Sequence, residues 1–494
     1  MGRGDMQGPK PRVFSLPYPA EICYNSLVIL KNQQISQVSL LQKNESMIND
    51  LTVGSVPEQL VRFAIPFVFA NILQYLYNIV DMIIVGRYVG AGGLSAVSIG
   101  GEFMHFFMFI AVGFAQAGTV VLAQTVGAGE RGRISKVIGN MFSFILSLSI
   151  LATVISVVFA GQYNRLMNTP PESYQEAMDY CRVCGFGMFF VFGYNIVSYI
   201  MRGLGDSKRP LYFVAVSAVM NLILDLVFVA GMNMRAKGAA LATVIGQAFS
   251  FIVSMIYLYR RREAFGFDFK PESFKPEKKI LGTIVRLGIP VCLQNTAVSV
   301  SMMYVNSCIN AYGVVYSAVT GLSGKISQLC NVFTMSLNAA AATMSGQNFG
   351  AGKQDRVSRV FWYDLLISTV FAVVLSVLLV LFPQPVFRLF NDEPAVLAVA
   401  LEAVPIIILN FFGTASRSPS GALINGIGYA GMNFIMGIMD GIVIRIGLAL
   451  LFGQVLKLGV HGYWYGSSIA GFAFFLVIFP YFLSGRWKKR SKVI

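Results

Sequence analysis

The sequence predicts an all-α membrane protein: twelve transmembrane helices in two six-helix lobes related by an internal repeat. Three observations carry that prediction. Of 494 residues, 55% are hydrophobic and only 12% charged, where soluble domains carry about 25% charged residues. From about residue 58 the apolar residues run in long stretches, and about 20 in a row cross a bilayer core. The second half of those stretches repeats the first. A soluble protein is excluded, since it would have to bury nearly everything and still find a polar coat.

The elements follow in chain order. Residues 1–50 are basic, Pro/Gly-rich at the start and polar later, with no periodic apolar face. They read as a disordered leader; SLVIL at 26–30 is too short for a signal-peptide core, and Met47 is an alternative start. Spans follow near 60–86, 93–125, 135–160, 175–201, 209–233, 238–259, 281–310, 315–347, 358–382, 394–416, 421–452 and 460–484. The chain after residue 57 gives about 36 residues per helix and loop, leaving no room for a folded domain outside the membrane. The predicted organisation is therefore a first lobe at 55–260, a cytoplasmic linker at 261–280, a second lobe at 281–485 and a basic tail at 486–494.

The net charge of +15 has two readings, nucleic acid or basic residues at cytoplasmic helix ends. Position decides. With both termini cytoplasmic, the inside loops and the RWKKRSK tail collect 22 Lys and Arg, among them Arg202 and Arg417, against six outside. The excess is explained by topology in a plasma membrane, and no nucleic-acid partner is needed.

The repeat is explicit. VGAGERGR at 126–133 matches FGAGKQDR at 349–356, each after a glutamine, Gln124 and Gln347. AIP at 64–66 matches GIP at 288–290, and Gly90 and Ala96 fall opposite Gly313 and Ala318. Six helices per half give both halves one orientation, so this is a parallel repeat. Such halves pack about an axis along the membrane normal with a cavity between them, a transporter signature.

Charges inside spans are costly and therefore functional candidates. Asp81 lies deep in the first span, fifteen residues after Pro66, which can break the helix. In the fifth span Asn221 and Asp225 stand four apart, on one helix face, and Thr243 in the sixth can add a hydroxyl. These are hard oxygen donors that suit H⁺ or Na⁺ and fit soft metals poorly; separate satisfaction of each acid by neighbouring hydroxyls and carbonyls is the alternative. Glu102 and Lys325, opposite one another in the repeat, are a candidate gate or two unrelated helix-end charges. Asp440 and Arg445 in the eleventh span are five apart, so on an α-helix they do not share a face; each lines the cavity or serves packing.

Other signals read more plainly. GAGERGR and GLGD look like phosphate loops but follow no strand and continue into no Lys-Ser/Thr, so they are turns. Cys181 and Cys184 form a CxxC inside apolar sequence without partner ligands. GIMDG at 437–441 fits a packing face of small residues. No nucleophile–base arrangement, metalloprotease motif or Walker sequence occurs, which argues against an enzyme and a bound cofactor.

The run LVRFAIPFVFANILQYLYNIVDMIIVGRYVGAGGLSAVSIG, together with IPVCLQNTAVSVSMMYVNSCINAYG and MSGQNFGAGKQDRV, resembles the multidrug and toxic compound extrusion (MATE) family over about residues 55–485. The resemblance implies an antiporter that exports organic cations or drugs in exchange for inward H⁺ or Na⁺ by alternating access. Its partners would be membrane lipids and small organic cations, and it would work as a monomer. In the bacterial branch with a cation site in the N-terminal lobe, the family residues match Asp81, Asn221, Asp225 and Thr243, and Pro66 matches the proline where the first helix bends. One departure is the seventh helix, where LQNTAVSVSMMY lacks the acid another branch uses. The alternative reading is a flippase for lipid-linked precursors of the same architecture, which calls for a strongly cationic cavity.

Overall fold

The computed structural model describes residues 47–493, and Gly2 besides; the leader reading for residues 1–46 otherwise falls outside the described residues. Residues 48–494 form one compact unit. Among the described residues there is no strand, and twelve long helical elements follow one another. We number them α1 Val56–Tyr88, α2 Ala91–Gly127, α3 Arg131–Leu166, α4 Pro171–Gly203, α5 Lys208–Gly231, α6 Arg235–Arg260, α7 Lys278–Asn310 and α8 Val314–Gly350. Then come α9 Gln354–Leu381, α10 Pro394–Glu402 with Val404–Ile427, α11 Ala430–Val455 and α12 Gly459–Leu483.

Ten of these are apolar and long enough to cross a membrane unaided. The eleventh, α10, is a pair of helices bent by 51°, and Val404 is followed at once by Pro405, which cannot donate to the preceding turn. The twelfth, α8, has the length (37 residues) but carries serine, threonine, asparagine and glutamine along its course. That polarity has a purpose, because α8 is the helix most exposed to the cavity described below.

Two predicted boundaries shift. The tenth span was expected to end at 416 and the eleventh to begin at 421, because RSPSG reads as a loop. Instead α10 runs through Pro419 to Ile427, where Gly428 closes it in the left-handed conformation (φ 70°). Arg417, counted above among cytoplasmic loop residues, is therefore ten residues inside a helix. Arg202 likewise sits in the last turn of α4 with its guanidinium over the rings of Phe67 and Tyr199.

The repeat extends to backbone conformation. Gly90 and Gly313, Gly129 and Gly352, and Gly205 and Gly428 all have positive φ at a spacing of 223 residues; Asn233 and Lys457, and Arg235 and Gly459, do so at 224. Pro66 and Pro290 both lie inside helices. Each lobe's fifth helix ends in a π-helical stretch, Leu226–Gly231 and Leu451–Val455.

Within the first lobe α4 packs on α2, α3 and α6, and within the second α10 packs on α8 and α9 while α11 packs on α7. The lobes meet where α2 touches α7 and where α8 touches α1 and α2. At the basic end of the bundle, α2 and α8 cross backbone to backbone. A Cβ at Gly127 would lie 1.8 Å from the Gln347 carbonyl oxygen, and one at Gly350 would lie 2.2 Å from that of Gln124. The two glutamines are fully buried and reach across reciprocally. Gln124 Nε2 donates to Gly426 O (2.8 Å) and Gln347 Nε2 to Gly203 O (3.4 Å). Their own oxygens accept from backbone on either side of the helical bundle, Leu51 N–H onto Gln347 (2.9 Å) and Val493 N–H onto Gln124 (3.0 Å). The linker does not hang free: Ser135 on α3 donates to Asp268, and Gly139 admits the Ser273 carbonyl.

Candidate functional site

Between the lobes lies a cavity of about 1030 Å³, lined by α1, α2, α4 and α6 from one side and α7, α8, α10, α11 and α12 from the other. The glycine crossing closes it at the basic end. Toward the other end Glu102 and Lys325 are exposed, and a Cβ at Gly101 or Gly324 on the cavity wall would meet no atom within 4 Å. Among the described residues Glu102 and Lys325 make no ion pair in this conformation; the Lys325 ammonium lies 6.0 Å from the Phe390 ring.

The first-lobe wall holds the predicted acids together. Asp81 on α1 lines the cavity, and Asp225 on α5 stands behind it, fully buried. The two carboxylates are close enough to act on each other electrostatically. Asp81 Oδ1 and both oxygens of Asp225 are buried without a hydrogen-bond donor, and neither acid joins an ion pair among the described residues. Asn221 is buried beside Asp225 on the same helix, and its Nδ2 donates to Thr243 Oγ1 of α6 (3.4 Å). Buried carboxylate oxygens without partners are costly, and adjacency adds like-charge repulsion. A single proton or small hard cation relieves both penalties.

Local sequence explains the placement. Asp225 is the last α-helical residue before the π stretch Leu226–Gly231, and such bulges recur at functional sites. Pro66 leaves the Arg62 carbonyl of α1 without its helical donor, although α1 runs through it unbroken here. The sequence reading passed over Gln247, whose Oε1 is buried and unpartnered on the same cavity wall. It lies four residues after Thr243, and Tyr77, which also lines the cavity, lies four before Asp81, so the helical repeat itself was the signal for both.

The second-lobe wall carries a different cluster. Asp440, fully buried, takes one arginine on each carboxylate oxygen: Arg417 Nη1 on Oδ2, and Arg445 Nη2 on Oδ1 at 3.3 Å. Arg445 also donates to the Ser467 carbonyl and hydroxyl (3.0 and 3.2 Å). This corrects the expectation that Asp440 and Arg445 do not share a face. Residues Met439–Ile444 are π-helical, and a π-helix closes i to i+5, so a spacing of five becomes a stacked pair. The GIMDG glycines pack as read: Gly437 and Gly441 sit against Gln294 and Ala297 of α7.

One buried acid was missed altogether. Asp364 of α9 accepts from Ser368 (3.1 Å) and Ser418 (2.8 Å), and its Oδ2 has no partner. It lies seven residues inside the predicted 358–382 span, and the rule that singled out Asp81 applied equally to it. Cys181 and Cys184 are buried free thiols; Asn164 points its amide at Cys181.

Comparison with known proteins converges on one group. The MatE family profile matches residues 66–227 and 290–451, two segments that repeat at the spacing of the internal halves. The probable multidrug resistance protein YoeA of Bacillus subtilis is 28% identical over 444 residues, 88% of this chain and 95% of that protein. The probable multidrug resistance protein NorM of Thermotoga maritima is 24% identical over 457 residues, 90% and 96% of the two chains. Among solved structures, a MOP superfamily transporter from Pyrococcus furiosus superposes with a TM-score of 0.84 at 24% identity, covering 90% of this chain and 99% of that one. An outward-facing multidrug resistance MATE family transporter gives the same TM-score, identity and coverage.

Proposed function

The chain belongs to the MatE family, and on that premise we propose that it is a plasma-membrane antiporter, with both termini cytoplasmic. It exports organic cations or drugs in exchange for inward H⁺ or Na⁺, working as a monomer by alternating access. The observation that carries the coupling mechanism is the pair of facing, donor-less carboxylates of Asp81 and Asp225. With the cavity closed at the basic end, a cation arriving from the opposite side reaches Asp81 first. Neutralising the pair, with Asn221 and Thr243 supplying an amide and a hydroxyl, weakens the wall's hold on a cationic substrate. It also lets α1 bend at Pro66, where its hydrogen-bond ladder is already interrupted. Substrate leaves outward, the lobes rock, and the crossing of α2 on α8 opens to release the ion. The paired acids Asp81 and Asp225 of the first lobe support this reading over the lipid-linked-precursor flippase, which calls for cationic charge throughout.

The test is ethidium efflux from energised vesicles. Ionophores that dissipate the ion gradient should abolish it, and replacing sodium with choline should abolish it if Na⁺ is the coupling ion and leave it intact if H⁺ is. Efflux untouched by every ionophore would overturn the antiport reading. Asn221→Ala should raise the ion concentration for half-maximal efflux about tenfold, the value of one hydrogen bond of about 1.4 kcal/mol. An unchanged ion dependence removes Asn221 from the site.

A further inference from the structure

The cavity wall carries one acid, Asp81, and three arginines, Arg202, Arg417 and Arg445. A pocket built only for cations would not be lined this way. Arg202 is stacked on Phe67 and Tyr199 at the basic end. Arg445 is 5% exposed and fixed on Asp440 and Ser467. Arg417 is the one with a free edge: its side chain is 29% exposed, its guanidinium lies 5.5 Å from the Phe474 ring, and among the described residues only Nη1 has a hydrogen-bond partner, the carboxylate it shares with Arg445. A guanidinium has five N–H donors, so Arg417 presents the rest of its fork to the cavity. Two guanidiniums on one carboxylate leave a positive charge over, and Asp364, the other buried acid of this lobe, accepts from Ser418 and Ser368 and does not itself line the cavity. Asn410, Thr414, Arg417, Gly421 and Asn425 all line the cavity from α10, at the spacing of one helix face. This gives the fork a polar track of amides and a hydroxyl on either side.

Resting on the transport reading above, we propose that Arg417 is the oxyanion-recognition site that takes the acidic group of a zwitterionic amphiphilic substrate. The acidic group docks on Arg417 in the second lobe, and the cationic group faces the acid wall of Asp81 in the first. Planar, bidentate pairing with a carboxylate is what a guanidinium fork favours. Asp440 and Arg445 act as positioning residues: the shared carboxylate holds Arg417 at one edge, and the π-helical turn sets that carboxylate in place.

A matched dye pair tests this, tetramethylrhodamine (one carboxylate, a zwitterion) against its methyl ester (a cation), which share one body. Binding to the purified full-length protein is followed by fluorescence polarisation with no ion gradient. The wild type should bind the acid more tightly than the ester by about 10- to 100-fold, as a charge-assisted pair gives. Arg417→Gln should bring that ratio to near one, and Arg417→Lys, which keeps the charge and loses the fork, should fall between. Equal affinity for acid and ester in the wild type overturns the proposal without reference to any variant. So does a ratio that Arg417→Gln leaves intact. Because no gradient is imposed, a failure here leaves ion-coupled ethidium efflux standing, and a failure of ion coupling leaves this binding result standing.

Discussion

Asp81→Asn is expected to abolish gradient-driven efflux and, by removing the charge that faces a cationic substrate, to weaken binding of that substrate while leaving the fold intact. Exchanged one for one with a monovalent cation, a coupling ion running down a tenfold gradient supplies about 1.4 kcal/mol, which sustains a substrate concentration ratio of about tenfold. Vesicles holding the variant should fall to a ratio near one. The substitution keeps the shape of the side chain and removes the negative charge that a proton or cation would neutralise. It also relieves the repulsion with Asp225, so the variant should be no less stable than the wild type. That combination, a folded protein that cannot couple, separates loss of the ion site from loss of the fold. Asp225→Asn should act in the same direction, since both of its oxygens are buried without donors. Full efflux by Asp81→Asn at an imposed gradient would sink the assignment of the ion site to the first lobe.

Gly127→Ala should hold the basic end open and stop transport by a different route. The added Cβ would lie 1.8 Å from the Gln347 carbonyl oxygen and 2.8 Å from its Cα. These are backbone atoms and cannot rotate away, so α2 and α8 must part by roughly 1.5 Å to reach an ordinary C···O contact. Overpacking of this kind costs about 1–3 kcal/mol. Because the cost falls on the closed crossing alone, it shifts the balance of states about 5- to 150-fold. Thr343→Cys in a cysteine-free background, on the cavity wall just above the crossing, should then become labelled by an impermeant maleimide from the basic side. Gly350→Ala should do the same through Gln124, 2.2 Å away, whereas Gly132→Ala meets no atom within 4 Å and serves as the control. Unchanged labelling with normal efflux in Gly127→Ala would show that the crossing is no gate.

Much of this was readable before any fold was known. Asp81, Asn221, Asp225 and Thr243 were picked out because polar groups in apolar spans are costly, and the structure brings them to one wall. Gln124 and Gln347 stood out only as repeat markers. Their reciprocal bonds to Gly426 and Gly203 depend on two helices crossing at glycines, which no local pattern encodes. Asp364 was legible by the same rule as Asp81 and was overlooked. Arg417 was misassigned for a physical reason: Ser-Pro-Ser-Gly has the composition of a loop, yet α10 runs through Pro419, as helices in a membrane setting tolerate.

The sequence by itself determined the twelve helices, the parallel repeat and the membrane setting, because each follows from apolar run length and from residues recurring at fixed spacing. Tertiary structure alone decided which charges meet. Asp440 and Arg445 pair because α11 widens into a π-helix, and Arg417 joins them because α10 continues where its composition suggested a stop. Helical periodicity places a residue on a face only for the helix type assumed. The helix type, in turn, depends on how neighbouring helices satisfy the backbone.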